Sequence, residues 1–293
     1  MAALWTVMVL ALFLSAPLSE AVVNKNDLAR FVNDLLNVYK PTYQVHEDAP
    51  MFSLAISIPL NAIRRHDFSL VTAADPPQNV RSALNRCQVY TGARVVGATL
   101  LKYPDFMRQC PNEPVSWDYV TRSCPAVRYW RDFEQCTSGD IRRLKREVDG
   151  LVQHAEYRVL QNFQHLTNKI NRGIQSTDLM LFYIYKSPCS TRCCSTDHLF
   201  SIINKMTSVR RWNNYAVVFS HIFVPGHTSA SAATLEQDRR TALMNLGNGI
   251  NGIANIYRCT PGASTCFSCN APGGVNNDCV RAPRSPSAPP GGH

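Results

Sequence analysis

The stretch DLMLFYIYKSPCSTRCC, residues 178–194, joins two different patterns. After Asp178, seven consecutive apolar residues run from Leu179 to Tyr185 without alternation, which suits a strand buried on both faces. Pro188 then ends ladder pairing, because it has no N–H to give. Cys189 is expected to open a helix, and Cys193 follows four residues later. Residues i and i+4 share one helical face, so Cys189 and Cys193 can hold one metal ion together, while Cys194 points elsewhere. A strand covered on both faces needs helices on each side of its sheet, so the segment argues for an α/β fold.

The rest of the chain alternates accordingly. Residues 24–40 read as an amphipathic helix that ends before Pro41, and MFSLAISIPL (51–60) and ARVVGATLL (93–101) are strand-like. DHLFSIINKM (197–206) reads as a helix, NYAVVFSHIFV (214–224) as a strand, TLEQDRRTALMNL (234–246) as a helix and IANIY (253–257) as a strand. The expectation is a five-stranded mixed sheet with helices on both faces, spanning residues 22–258. An irregular segment near 103–139, rich in cysteine, reads as a disulfide-tied insertion. GNGING (247–252) matches a dinucleotide-binding pattern but follows a helix and leads into a strand, so it reads as a helix C-terminal turn.

Upstream, LVQHAEYRVLQNF (151–163) carries His154 and Glu156 at the mouth of an expected helix whose apolar face runs through Val159, Leu160, Phe163, Leu166 and Ile170. Alone, this pair is an ordinary helix start. With the cysteines it becomes chemistry: one His and two thiolates suit Zn²⁺, and three protein ligands leave a fourth position for water. Glu156 is two residues from His154, so it is placed beside that water as a general acid and base rather than as a ligand. A disulfide cluster is the other reading of Cys189, Cys193 and Cys194. Cys194 itself reads as a disulfide partner or a free thiol.

His154–Ala155–Glu156, then 31 residues, then Pro188–Cys189–x3–Cys193 resembles the signature of the zinc-dependent deaminases. Ser187–Pro188–Cys189 is similar to the S-P-C of the AID/APOBEC branch, and the order of elements resembles the cytidine deaminase fold over roughly residues 24–258. With a leader and extra cysteines, the chain most resembles the secreted novel AID/APOBEC-like deaminases. The resemblance implies a hydrolase that converts cytosine to uracil, with Zn²⁺ on His154, Cys189 and Cys193 and Glu156 as the catalytic residue. It departs from the branch at Lys186, where Trp is usual, in the spacing of the second cysteine, and in HIFVPGHTS (221–229), which replaces an aromatic-rich segment.

Residues 1–21 hold an apolar run from Leu4 to Leu14 and a small-residue exit at Ser19 and Ala21, the pattern of a secretory signal peptide. That run is too short for a membrane span, and no later segment approaches the ~18 apolar residues one needs. Export into an oxidising compartment makes disulfides the expected state of most of the 11 cysteines. The first four (Cys87, Cys110, Cys124, Cys136) and the last four (Cys259, Cys266, Cys269, Cys279) can each pair internally, with connectivity open. Residues 259–293 read as a tail, clipped by cysteines and then disordered where it becomes Pro-, Gly- and Ser-rich.

The whole chain carries +9, and Glu20 is the sole charged residue of 1–21, so the chain from Val22 carries +10. Such a balance favours polyanions, and single-stranded DNA or RNA is the expected substrate. Arg210, Arg211 and Trp212, with Arg64, Arg65 and His66, are candidate phosphate and base contacts, a solvated basic surface being the commoner meaning of such groups, and His227 is a weaker candidate. Two other readings stand beside this one: a free-nucleoside deaminase, and a zinc-holding nucleic-acid or protein binding module without turnover. Retention of Glu156 favours turnover, since a binding module has no use for it.

Overall fold

The computed structural model describes residues 24–43, 51–147, 150–225 and 229–282. The expected signal peptide, His227 and the last part of the tail lie outside the described residues.

The apolar run after Asp178 forms the central strand β6 (Leu179–Lys186), with every residue from Leu179 to Tyr185 buried. It pairs antiparallel with β1 (Phe52–Ile58) and parallel with β7 (Asn214–His221), so Phe182 sits between Ala55 and Val217. The sheet continues on one side to β3 (Val95–Thr99) and β2 (Tyr90–Thr91), and on the other to β8 (Ile256–Arg258) and β9 (Phe267–Ser268). Its order is β2-β3-β1-β6-β7-β8-β9, seven strands in all. The five central strands are those expected from the sequence. The two extra ones are two-residue edge additions, too short to leave a periodic trace. β2 is made by a tight return into β3, and β9 by the turn that the Cys259–Cys266 disulfide closes.

Alternate residues of the strands feed two separate cores, as a period of two requires. On one face Ala55, Met180, Phe182, Ile184, Val217 and Phe219 pack with α8 (Ala155–Gln161) and α11 (Ala232–Gly249). On the other, Leu54, Ile56, Leu181, Tyr183 and Val218 pack with α1 (Lys25–Tyr39) and α4 (Pro77–Asn85). Asn24 caps α1, its side chain accepting from the N–H groups of Asn26 and Asp27. Gly249, in the last turn of α11, lies where a Cβ would come within 2.6 Å of Ile203 O, so glycine is needed there for close packing, not for a nucleotide.

Residues 197–206 and 253–257 differ from expectation. Only Ile203–Met206 (α10) of residues 197–206 is helical, because the His198 ring takes Phe200 N–H and the Ser201 hydroxyl takes Ile203 N–H. Such local side-chain bonds compete with the helical ladder. Ile253–Asn255 is a 3₁₀ turn, and strand pairing begins at Ile256.

Between β4 (Leu101–Lys102) and β5 (Val152–Gln153), which pair with each other, the chain makes a long excursion. It contains α5 (Asp105–Gln109), α6 (Asp118–Ser123) and α7 (Ser138–Glu147), and it extends beyond the expected end at 139. Disulfides Cys87–Cys110 and Cys124–Cys136 brace it, around a core of Phe106, Trp117, Trp130 and Phe133. The Trp117 indole donates to Gln153 Oε1 at 2.9 Å, fixing the residue immediately before His154. The remaining disulfides, Cys259–Cys266 and Cys269–Cys279, lie in the tail, so each outer cysteine group pairs within itself.

Asp75 anchors the turn into β3. It is fully buried, and its carboxylate accepts from Tyr90 Oη, Ala93 N and Arg94 N at 2.6–2.9 Å. Hydrogen bonds to a charged acceptor contribute about 1.5–3 kcal/mol each, and loss of the acceptor strands buried donors. Asp75→Ala is therefore expected to lower stability by about 3 kcal/mol or more, read as a fall in the urea midpoint with disulfides intact. A change below about 1 kcal/mol would show that the turn holds without it.

Candidate metal and catalytic site

β6 ends where Ser187 is pinned from both sides: its N–H donates to His221 O at 2.7 Å, and its hydroxyl accepts from Phe223 N at 2.9 Å. The chain then turns, but it does not enter the helix expected at Cys189. Residues 190–194 form turns, in which Cys194 N–H reaches Cys189 O, five residues back, at 3.0 Å. Cys193 N–H instead faces Cys189 Sγ at 3.4 Å. The sulfur occupies the donor that a helix would have used, so the shared helical face inferred from the spacing is absent. The thiols converge all the same, with Cys189 Sγ and Cys193 Sγ 3.5 Å apart.

The turn is braced from α11, where Asn245 Nδ2 donates to Cys194 O at 2.8 Å. Nothing in the sequence marks Asn245 for this, since it contributes through a fold contact rather than a motif.

His154 is the N-cap of α8 and arrives from β5 in extended conformation. The helix is shorter than its apolar pattern, ending at Gln161, with a separate turn α9 (Gln164–Thr167) completing the face. His154 Nδ1 lies 3.0 Å from Cys193 Sγ. One ring nitrogen of His154 and the sulfurs of Cys189 and Cys193 all lie within 4.8 Å of one another. Glu156 Oε1 is 2.8 Å from Cys193 Sγ and 3.6 Å from His154 Nδ1. The structure thus brings His154, Glu156, Cys189 and Cys193 together, and leaves Cys194 outside the trio as a buried free thiol.

Electrostatics follow from burial and pairing. Burial opposes a charged His154, yet hydrogen bonds with Cys189 and Glu156, and the charges on both, carry it up to about 10. Burial likewise opposes charge on Glu156, but the His154 hydrogen bond and charge hold it below the usual carboxylate range. Cys189 falls to about 4 through its hydrogen bond with Cys193, with His154 adding to the effect. Burial pushes the Cys193 and Cys194 thiols up. A nitrogen and two sulfurs on a four-coordinate ion, at ~2.0 and ~2.3 Å, are about 3.5–3.8 Å apart. The observed 3.0 and 3.5 Å come within about half an ångström of that, so the donor set fits Zn²⁺ in both chemistry and scale.

The basic and aromatic candidates fare differently. Trp212 is 1% exposed, packs its ring 5.6 Å from Phe163 and donates to Ser57 Oγ, so it is core and unavailable for base stacking. Arg64 and Arg65 are exposed on α2 (Leu60–Arg65), whose Ala62 and Ile63 pack into the core across the sheet from α8. His66 lies 3.3 Å from Asp27.

The family model for Secreted Novel AID/APOBEC-like Deaminase 1 matches residues 139–282, which take in His154, Glu156 and the three free cysteines. Over these residues the chain is similar to the secreted novel AID/APOBEC-like deaminases. The matched region includes α8, β6, β7, α11 and β8, whereas α1, β1 and most of the cysteine-braced excursion precede it. No curated protein and no solved structure matches the chain. No helix among the described residues is long and apolar enough to cross a membrane.

Proposed function

We propose that this chain is a secreted, zinc-dependent hydrolase that converts cytosine to uracil in single-stranded nucleic acid. The observation that carries the reading is the convergence of His154, Cys189 and Cys193 with the Glu156 carboxylate beside them. A zinc ion held by those three side chains would supply Lewis-acid activation of water at neutral pH. Glu156 suits proton transfer: it is buried, and its carboxylate lies within reach of the ligand cluster. It takes a proton from the attacking water and delivers it to the departing amine. Secretion accords with the family description, the leader-like residues 1–21 and four disulfides.

The polynucleotide preference rests on the +9 formal charge and on the cost of extruding a base from a duplex, a few kcal/mol that a single strand spares. Purified mature protein is to be incubated with cytosine-containing single-stranded DNA, RNA and free cytidine, with uracil as the readout. Oligonucleotide turnover is expected to fall at least about tenfold from about 50 to about 200 mM salt through counterion release. Cytidine turnover should be low and nearly flat with salt. Equal turnover on cytidine, with no salt dependence in either, would make this a nucleoside enzyme. Uracil from none of the three would leave a binding module.

A further inference from the structure

A cleft of about 640 Å³ opens between the cysteine-braced excursion and α8. Arg86, Tyr119, Arg122, Tyr157, Arg158 and Leu199 are among its lining residues, and none of His154, Glu156 or the free cysteines is. It is therefore a second concavity on the helix that carries the metal cluster.

Its floor is positively charged. Arg158 is buried, and its two terminal nitrogens donate to the carbonyls of Thr99 and Cys87, each at 2.6 Å. No carboxylate pairs with it among the described residues. A buried charge answered only by dipoles is costly and attracts a counter-charge. Arg122, in the last turn of α6, is exposed and makes no hydrogen bond or ion pair with a described residue. Of the two lining carboxylates, Glu113 is engaged by Arg86 and Gln88, and Asp118 lies in the first turn of α6.

The walls supply ring surface and an idle donor. Tyr119 lies against Trp117 and Tyr157 against Phe200, with ring centroids 5.6 and 5.2 Å apart. Among the described residues the buried Tyr119 hydroxyl has no hydrogen-bond partner, which is rare for a phenol and leaves one donor for an incoming group. Leu199 is 70% exposed, an apolar side chain presented to whatever enters. Inorganic phosphate would leave these rings and Leu199 unused, whereas a purely apolar ligand would leave Arg122 and Arg158 unanswered.

We propose that this cleft binds a nucleotide, a base-sized ring carrying a phosphate, at a site separate from the His154 cluster. The phosphate answers Arg122 and the charge of Arg158, while the base lies against the tyrosines and accepts from Tyr119. The volume lies within the roughly 300–1,000 Å³ of small-molecule sites. The nucleotide can be free or one unit of a strand, and the proposal does not depend on turnover.

The test uses the purified mature chain and ligands without cytosine, so that deamination cannot occur. Binding of dUMP and of a short oligo(dT) is measured calorimetrically at low salt, in the parent and in Cys189→Ala. Both forms are expected to bind. Arg122→Ala should weaken binding about tenfold or more, as loss of a charged phosphate contact does. Tyr119→Phe should weaken it about fivefold. Both substitutions leave packing intact, since one side chain is exposed and the other loses only an unpaired hydroxyl. Arg142→Ala on α7, exposed but outside the cleft, should change affinity less than twofold. Binding of dUMP identifies a free-nucleotide site; binding of oligo(dT) alone, weakened by Arg122→Ala, assigns the cleft to one unit of a strand. The proposal is overturned by failure of both ligands to bind, by indifference to Arg122→Ala and Tyr119→Phe, or by an equal loss in Arg142→Ala.

Discussion

Glu156→Gln is expected to leave the protein folded and its metal content unchanged while lowering deamination by about 10²–10⁴-fold, the usual contribution of a positioned acid–base group. The substitution keeps the size of the side chain, and an amide oxygen can still accept from the Cys193 thiol that now faces Glu156 Oε1 at 2.8 Å. What it removes is a carboxylate that can gain and lose a proton. Because Glu156 is almost fully buried, no water-borne buffer anion can readily stand in for it. Uracil formation and zinc per chain are to be measured on the same preparation. A variant that keeps its zinc and matches the parent's rate would sink the assignment of Glu156, and a variant that loses zinc would make Glu156 part of the ligand sphere.

The second large effect concerns the metal itself. Cys189→Ala should abolish zinc binding, because two donors from His154 and Cys193 cannot hold a four-coordinate ion that needs three protein ligands. Cys194→Ala should retain most of it, since Cys194 lies outside the trio with its thiol buried and protonated. The comparison controls for damage to the turn: both residues belong to the same loop, and both variants lose only a sulfur. Metal analysis by mass spectrometry with far-ultraviolet dichroism gives the readout. Full zinc content in Cys189→Ala would remove it from the ligand set, and zinc lost equally in both variants would point to collapse of the turn.

The main-sheet strands were legible where burial imposes a pattern. The unbroken apolar run 179–185 could only be central, and the helix over 24–40 was bounded by Asn24 and Pro41. What escaped were elements held by single contacts. The edge strand Tyr90–Thr91 depends on Asp75 reaching across to the next turn, and α9 breaks from α8 although the apolar face continues. Trp212 looked like a stacking residue beside two arginines, but its position just before β7 turns it into the core. A local basic–aromatic cluster carries no information about which side of the sheet will cover it.

By itself, the sequence determined which residues could do chemistry: one His, one Glu and two of three clustered cysteines in the order of a zinc deaminase, on an α/β scaffold with disulfide-forming cysteines at either end. Only the tertiary structure decided how they meet. Cys189 and Cys193 converge through a sulfur-capped turn rather than a helical face, because Cys189 Sγ takes the Cys193 N–H and Ser187 pins the strand end. His154 is delivered by a β-pair that closes a long excursion, and the cleft behind α8 exists because that excursion folds back over the helix. These are contacts between residues far apart in the chain, which spacing and periodicity cannot encode, since each depends on where the two cores place the elements that carry them.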